Sequence, residues 1–236
     1  MIHEELQQYK AVQSIAKETI EFFKSFIHEG LSAREIKEAA EKHMNESGVE
    51  SFWYYDIGAF VFVGEQTTLS VSGREYRVSD LTVQSEDLVT VDLAPERNGY
   101  WGDFARSFIV ENGKVVEPQL AHLSELVEGI EIEKKFHKEF QDFVTIDTSF
   151  KQASVHMSAM INALGFENLD LSHNQNLGHS IVKQKDDRIY LEAGNTALLK
   201  SVNLFTFEPH IKKNGGKYGF KHEEIYYFGK GKLEVL

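Results

Sequence analysis

From Leu6 the apolar residues Leu6, Tyr9, Val12, Ile15, Ala16, Ile20, Phe23 and Ile27 recur at steps of three and four, the period of one buried helix face, and the pattern stops at Gly30. Ser32 opens a second helix. Glu35, three positions on, completes a capping box in which the serine oxygen and the glutamate each satisfy a free backbone N–H, and Gly48 closes the helix. The period then changes: Phe52 to Val63 is aromatic and β-branched, and Leu88 to Leu93 follows as another strand candidate.

The same order of signals returns about 117 residues later. Phe23 and Phe26 become Phe140 and Phe143, Ile27 becomes Val144, the cap Ser32/Glu35 becomes Ser149/Gln152, and Asn45, Gly48 and Glu50 become Asn162, Gly165 and Glu167. Each helix pair leads into a hairpin candidate. Leu88 to Val110 turns around Asn98-Gly99, and Val202 to Phe228 turns around Asn214-Gly215-Gly216, where the positive φ of tight turns is available. The predicted architecture is α+β: two pseudo-symmetric halves, about 1–115 and 116–236, forming one curved antiparallel sheet with helices on its outer face and its inner face free.

Composition narrows the chemistry. The 236 residues allow a core without staples, and the absence of cysteine removes disulfides, thiol catalysis, Cys-ligated zinc and iron–sulfur clusters. A net charge of −12 without a basic block opposes a nucleic-acid partner. Residues 1–10 lack the apolar core of a secretion signal, and no run approaches the roughly 18 apolar residues of a membrane span. A cytoplasmic protein is expected, with no membrane partner.

Two aspartates interrupt the otherwise apolar strands of the first hairpin, Asp92 in Val-Thr-Val-Asp-Leu and Asp103 in Tyr-Trp-Gly-Asp-Phe. A two-residue turn at Asn98-Gly99 sets residue 92 opposite 105, which puts Asp103 on the same face, one diagonal of about 7–8 Å away. The second hairpin carries Glu208 and Glu223, equidistant from the Gly215-Gly216 midpoint. Four carboxylates in one cleft repel unless cations neutralise them. Two divalent ions do so, and His179 in Asn-Leu-Gly-His-Ser supplies a nitrogen ligand beside a glycine that lets backbones come close. Oxygen-rich ligation with one imidazole suits manganese, iron, cobalt or zinc. Such a two-metal centre can hold a hydroxide and polarise a carbonyl, the chemistry of amide or ester hydrolysis.

These residues resemble the creatinase and methionine aminopeptidase family of metallopeptidases, which includes the Xaa-Pro peptidases. The likeness runs through Val91-Asp92, Gly102 to Phe108, Gly178-His179, Phe205 to Pro209 and Gly219 to Glu223, in that order. It implies a pita-bread fold over one catalytic domain, residues 1–236, and a dinuclear hydrolase acting on a short peptide or small amide. By resemblance Asp92 chelates one metal, His179 and Glu208 hold the other, Asp103 and Glu223 bridge both, and Glu208 shuttles the proton; Glu224 is the rival for Glu223. Two departures concern substrate contacts alone: Val71 and Asp186 stand where family peptidases carry histidines. Both weigh against ordinary peptide-bond hydrolysis, initiator-methionine removal above all, and leave the ligand set intact.

Plainer roles are expected elsewhere. His122, His137 and His156 fall on stretches that read as surface helix, and the charge run Glu128 to Lys138 reads as a solvated face. His210 and His222 adjoin ligand candidates and suit groups that orient them. The aromatic run Phe52 to Tyr55 reads as core rather than substrate pocket. Two other functions stay open: a non-catalytic peptide- or protein-binding module that retains the fold, and an amidinohydrolase acting on a small guanidino compound. A homodimer is compatible with all three.

Overall fold

The computed structural model describes residues 3–172 and 175–236, so Met1 and Ile2 of the N-terminal segment lie outside the described residues. Helix α1, His3–Phe26, buries the predicted stripe, with Glu4 and Glu5 in its first turn and Lys24 in its last, each placed to suit the helix dipole. Helix α2, Ala33–Glu46, begins at Ser32 with both hydrogen bonds of the capping box formed. Helix α3, Ser124–Phe143, and helix α4, Phe150–Ala163, repeat the pair, and α4 has the same reciprocal box between Ser149 and Gln152. Gly48 and Gly165 end the two short helices at the positive φ that the stop signal requires.

The antiparallel sheet is laid down in four hydrogen-bonded pieces. In the first half Asp87–Leu93 lies between Ala59–Val63 and Phe104–Glu111, with Lys114–Val116 at the edge. Its counterpart places Glu224–Gly229 between Leu204–Phe207 and Lys232–Val235, with Ser180–Ile181 beyond. Two three-stranded pieces complete it. The halves meet where the Glu223 N–H donates to the Ala105 carbonyl at 3.1 Å and the Lys221 N–H to Ser107 Oγ at 3.0 Å.

Counting from the turn predicts the register of the first hairpin. Asn98 and Gly99 both take positive φ, Arg97 pairs with Tyr100, and Asp92 faces Ala105. The second hairpin keeps its predicted centre, since His210 pairs with Lys221 and Phe207 with Glu224, but its turn is longer than two residues: the last pair is Lys212 with Gly219. Residues 52–63 differ from expectation. Strand survives only at Ser51–Phe52 and Ala59–Val63, because Tyr55 and Asp56 take positive φ between them.

One core, with Phe23, Ile36, Met44, Val89 and Phe108, lies under α1 and α2, and another, with Phe136, Phe140, Phe150, Phe205 and Tyr226, under α3 and α4. Phe23 and Phe140, the residues that anchor the repeat, are both fully buried. Two further expectations fail here. Glu133 and His137, within the run read as a solvated face, are 1 % and 5 % exposed, because α3 turns that side toward the sheet.

Candidate metal centre

Asp92 lies next to the end of the central strand of its sheet, flanked by Phe60 and Ala105. Asp103 follows Gly102 in the break between Tyr100–Trp101 and Phe104–Glu111. Gln13 of α1 holds that break from both sides: its amide N–H donates to the Asp103 carbonyl at 2.8 Å, and its oxygen accepts the Asp103 N–H at 3.1 Å. A Cβ at Gly102 would come within 2.7 Å of that oxygen, so glycine leaves room for the clamp. Gln13 is buried inside the apolar stripe of α1, a polar residue at a core position; that is the signal from which its role was legible.

His179 enters from the other half. Its N–H donates to Thr206 Oγ1 at 2.8 Å, and its carbonyl accepts the Thr206 N–H at 2.7 Å. The approach is possible because Gly178, at φ 149°, has no side chain; a Cβ there would sit 2.3 Å from the Thr206 carbonyl oxygen. Nδ1 lies 3.2 Å from the Ser180 carbonyl and must carry the proton to donate to it. Nε2 faces Asp103 Oδ2 and Glu208 Oε1, each at 3.4 Å.

Asp92, Asp103 and Glu223 each bring an oxygen within 4.8 Å of the others. Glu223 is fully buried, and neither of its oxygens has a hydrogen-bond partner among the described residues. Its neighbour Glu224 is directed elsewhere, into an ion pair with Arg106. The five expected side chains therefore form one cluster. Lone pairs face lone pairs across it, an arrangement that fits divalent cations and is costly without positive charge.

Sequence reasoning missed the fixed positive charge in this cluster. Lys221 Nζ donates to Asp92 at 2.5 Å and lies 3.2 Å from Glu208 and 4.0 Å from Glu223. A lysine two residues before Glu223 on a short strand carries no signal of burial. Desolvation works to depress its pKa, but Asp92, Glu208 and Glu223 more than reverse that and hold it well above the usual lysine value. Burial raises Asp103 to about 6 against the pull of His179, and it raises Glu223 well above the carboxylate range, with Asp103 and Glu208 adding to the effect. Glu208 goes the other way: burial would raise it, but Lys221, His179 and the Thr206 hydroxyl together lower it.

A cleft of about 470 Å³ opens onto the cluster. Trp53 and Tyr54 line it, so the aromatic run serves the cleft as well as the core, and the Arg188 guanidinium lies over the Trp53 ring at 4.7 Å. Val71 is in the wall, whereas Asp186 is exposed on a 3₁₀ turn. His210 also lines the cleft, donating from Nε2 to the Thr67 carbonyl at 2.6 Å; burial lowers its pKa to about 4. His222 instead packs against His137 with ring centroids 4.1 Å apart. His137 is a buried hydrogen-bonded residue, not the surface one expected, because its ring fills the space beneath Phe207 and Tyr226.

Known structures share this architecture. An X-Pro aminopeptidase from Thermotoga maritima MSB8 superposes with a TM-score of 0.80 at 19% identity, over 100% of this chain and 60% of the other. A prolidase from Pyrococcus horikoshii OT3 gives 0.81 at 19%, over 99% and 62%, and an Xaa-Pro dipeptidase from Bacillus anthracis gives 0.79 at 20%, over 99% and 60%. The chain thus spans less than two thirds of each of those proteins. At these identities the likeness concerns the fold, which is the pita-bread arrangement expected. No curated protein sequence matches the chain. The family model for metallopeptidase family M24 matches residues 7–230, a span that takes in every member of the cluster, and the chain belongs to that family.

Proposed function

We propose that the protein is a metal-dependent hydrolase of the aminopeptidase or Xaa-Pro peptidase class, acting on short peptides in the cytoplasm, with residues 1–236 working as one catalytic unit. The observation that carries this reading is the convergence of Asp92, Asp103, His179, Glu208 and Glu223 from two hairpins and one loop onto a common centre. These five residues would hold two divalent ions, manganese, cobalt, iron or zinc, with Asp103 and Glu223 placed to be shared. Divalent cations there supply Lewis acidity toward a carbonyl and make water a stronger acid.

The chain's own groups account for the rest. Asp103 and Glu223, raised by burial, ionise when positive charge enters. Glu208 accepts the Thr206 hydroxyl at 3.0 Å and is held in its ionised form, so its carboxylate would be available to take a proton from attacking water and pass it to the leaving nitrogen. Trp53, Tyr54 and Arg188 shape the substrate end. Two observations favour a second reading, a peptide-binding domain without catalysis: Val71 brings no imidazole to the wall, and the Lys221 ammonium already lies within 4.0 Å of three of the carboxylates.

One experiment separates the two. Protein purified without chelator is assayed for bound metal and for hydrolysis of a dipeptide and tripeptide panel with manganese, cobalt and zinc. The enzyme reading expects about two ions per chain and turnover, with both lost in Asp103→Ala and in Glu223→Ala. Full turnover in a variant that holds no metal overturns the assignment; no metal and no turnover in the unmodified chain favours the binding domain.

A further inference from the structure

A second cavity, of about 430 Å³, lies where the halves meet, between α1 of the first and α3 of the second, a volume within the range of small-molecule sites. Ile20, Phe104, Phe108, Val116 and Ile130 make its interior apolar, and the first three of these are buried. Lys17 and Lys24 of α1 and Lys134 of α3 stand around them. Their side chains are between 38 and 49 % exposed, so the stems extend the apolar surface while the ammonium groups stay near water. The arrangement is an apolar interior with a basic rim.

In a chain of net charge −12, the lining is more positive than negative. Lys17, Lys24, Lys134 and Arg106 stand against Glu21, Glu117 and Glu224. Lys221 also lines the cavity but turns its ammonium to Asp92 and Glu208. Glu133 adds no charge, because burial pushes its carboxyl well above the carboxylate range against the pull of Arg106 and Lys221, and its oxygens are sealed off. The positive groups differ in how firmly they are held. Arg106 is fixed by Glu224 and by the carbonyls of Ala105 and Glu223. Lys24 pairs with Glu21 and Glu117, and Lys134 with Glu131, in exposed ion pairs of the kind that contribute little. An incoming carboxylate can exchange for one of those partners at small cost, whereas a cation would meet only repulsion at the rim.

We propose that this cavity binds an amphipathic organic anion, a carboxylate on an aliphatic body, with the body against Ile20, Phe108 and Ile130 and the head among Lys24 and Lys134. Burial of the body drives binding, and the rim selects the sign of the head group. The site is separate from the cluster in the cleft, and neither its occupant nor its test depends on metal.

Calorimetric titration of the full chain with octanoate, octan-1-ol and octylammonium tests the proposal, since the three share a chain length and differ in charge. Saturable octanoate binding is expected, about tenfold or more tighter than that of octylammonium, with the alcohol between them. No saturable octanoate binding, or octylammonium bound as tightly, overturns the proposal. Lys24→Gln/Lys134→Gln changes two exposed side chains and is expected to cut the preference for octanoate by about threefold or more; an unchanged preference is fatal. Ile130→Trp fills the cavity and is expected to abolish binding. A carboxylate held in the cleft instead would keep its affinity in that variant, and this result too would overturn the assignment.

Discussion

His137 donates its Nε2 proton to the His222 carbonyl at 2.9 Å, and its Nδ1 accepts the Tyr226 hydroxyl at 2.8 Å, so a second proton on the ring would break the latter bond. Gln141 in turn donates to the Tyr226 oxygen at 3.2 Å, which leaves that hydroxyl free to donate to His137. Burial is the main reason the His137 pKa falls well below 6.5, with His222 and Arg106 adding to it. The sign of the consequence follows from proton counting. Below pH 6.5 the unfolded chain takes up a proton that the folded one refuses, so stability is lost as pH falls through that value, at up to about 1.4 kcal/mol per pH unit. His137→Phe removes this group and two hydrogen bonds. Urea melts should show the variant less stable at about pH 7, by about 1–3 kcal/mol for the polar atoms left unpaired. Its further decline toward about pH 5.5 should be shallower than that of the unmodified chain. Parallel declines would show that His137 is not the group that titrates.

Among the elements, the loop carrying His179 is tightly constrained. Gly178 is where it approaches the strand Leu204–Phe207 without a side chain, and a Cβ at that position meets backbone rather than a side chain able to move. Gly178→Ala is therefore expected to shift His179 away from Thr206 and to weaken manganese binding by about tenfold or more, as lost supporting contacts do at metal sites. Equilibrium dialysis reads this directly, and unchanged affinity would mean that the loop has slack the geometry denies. The glycine beside His179 could be read from sequence, as could both capping boxes and the Asp92–Ala105 register, because each depends on residues a few positions apart or on counting from a turn. Glu133, His137 and Lys221 could not. A charged residue in a strand or a Lys- and Glu-rich helix reads as solvated unless the element packed over it is known, and that element lies far away in the chain. The bend at Tyr55 and Asp56 was hidden for the opposite reason: aromatic composition outweighed the weak local signal of Asp56 and Gly58.

At the scale of the molecule, Asp92 and Asp103 belong to the first half, and His179, Glu208 and Glu223 to the second. Across the junction run a few hydrogen bonds, from Glu223 to Ala105, Lys221 to Ser107, and Arg106 to Glu223. Lys221 extends this link by joining Asp92 to Glu208 with one ammonium. A cation bound by the five side chains would tie the same two halves together, and unfolding either half would release it. Binding to the folded state alone adds about 2.7 kcal/mol at a free concentration 100 times the Kd, which for a chain of this size raises Tm by roughly 5–10 °C. Calorimetry with increasing manganese should therefore show one transition moving upward with the logarithm of concentration. Asp92→Ala leaves Asp103, His179, Glu208 and Glu223 together but removes one of the two first-half carboxylates, and its transition should move far less. If the variant's Tm climbs as steeply as that of the unmodified chain, Asp92 takes no part in holding the ion.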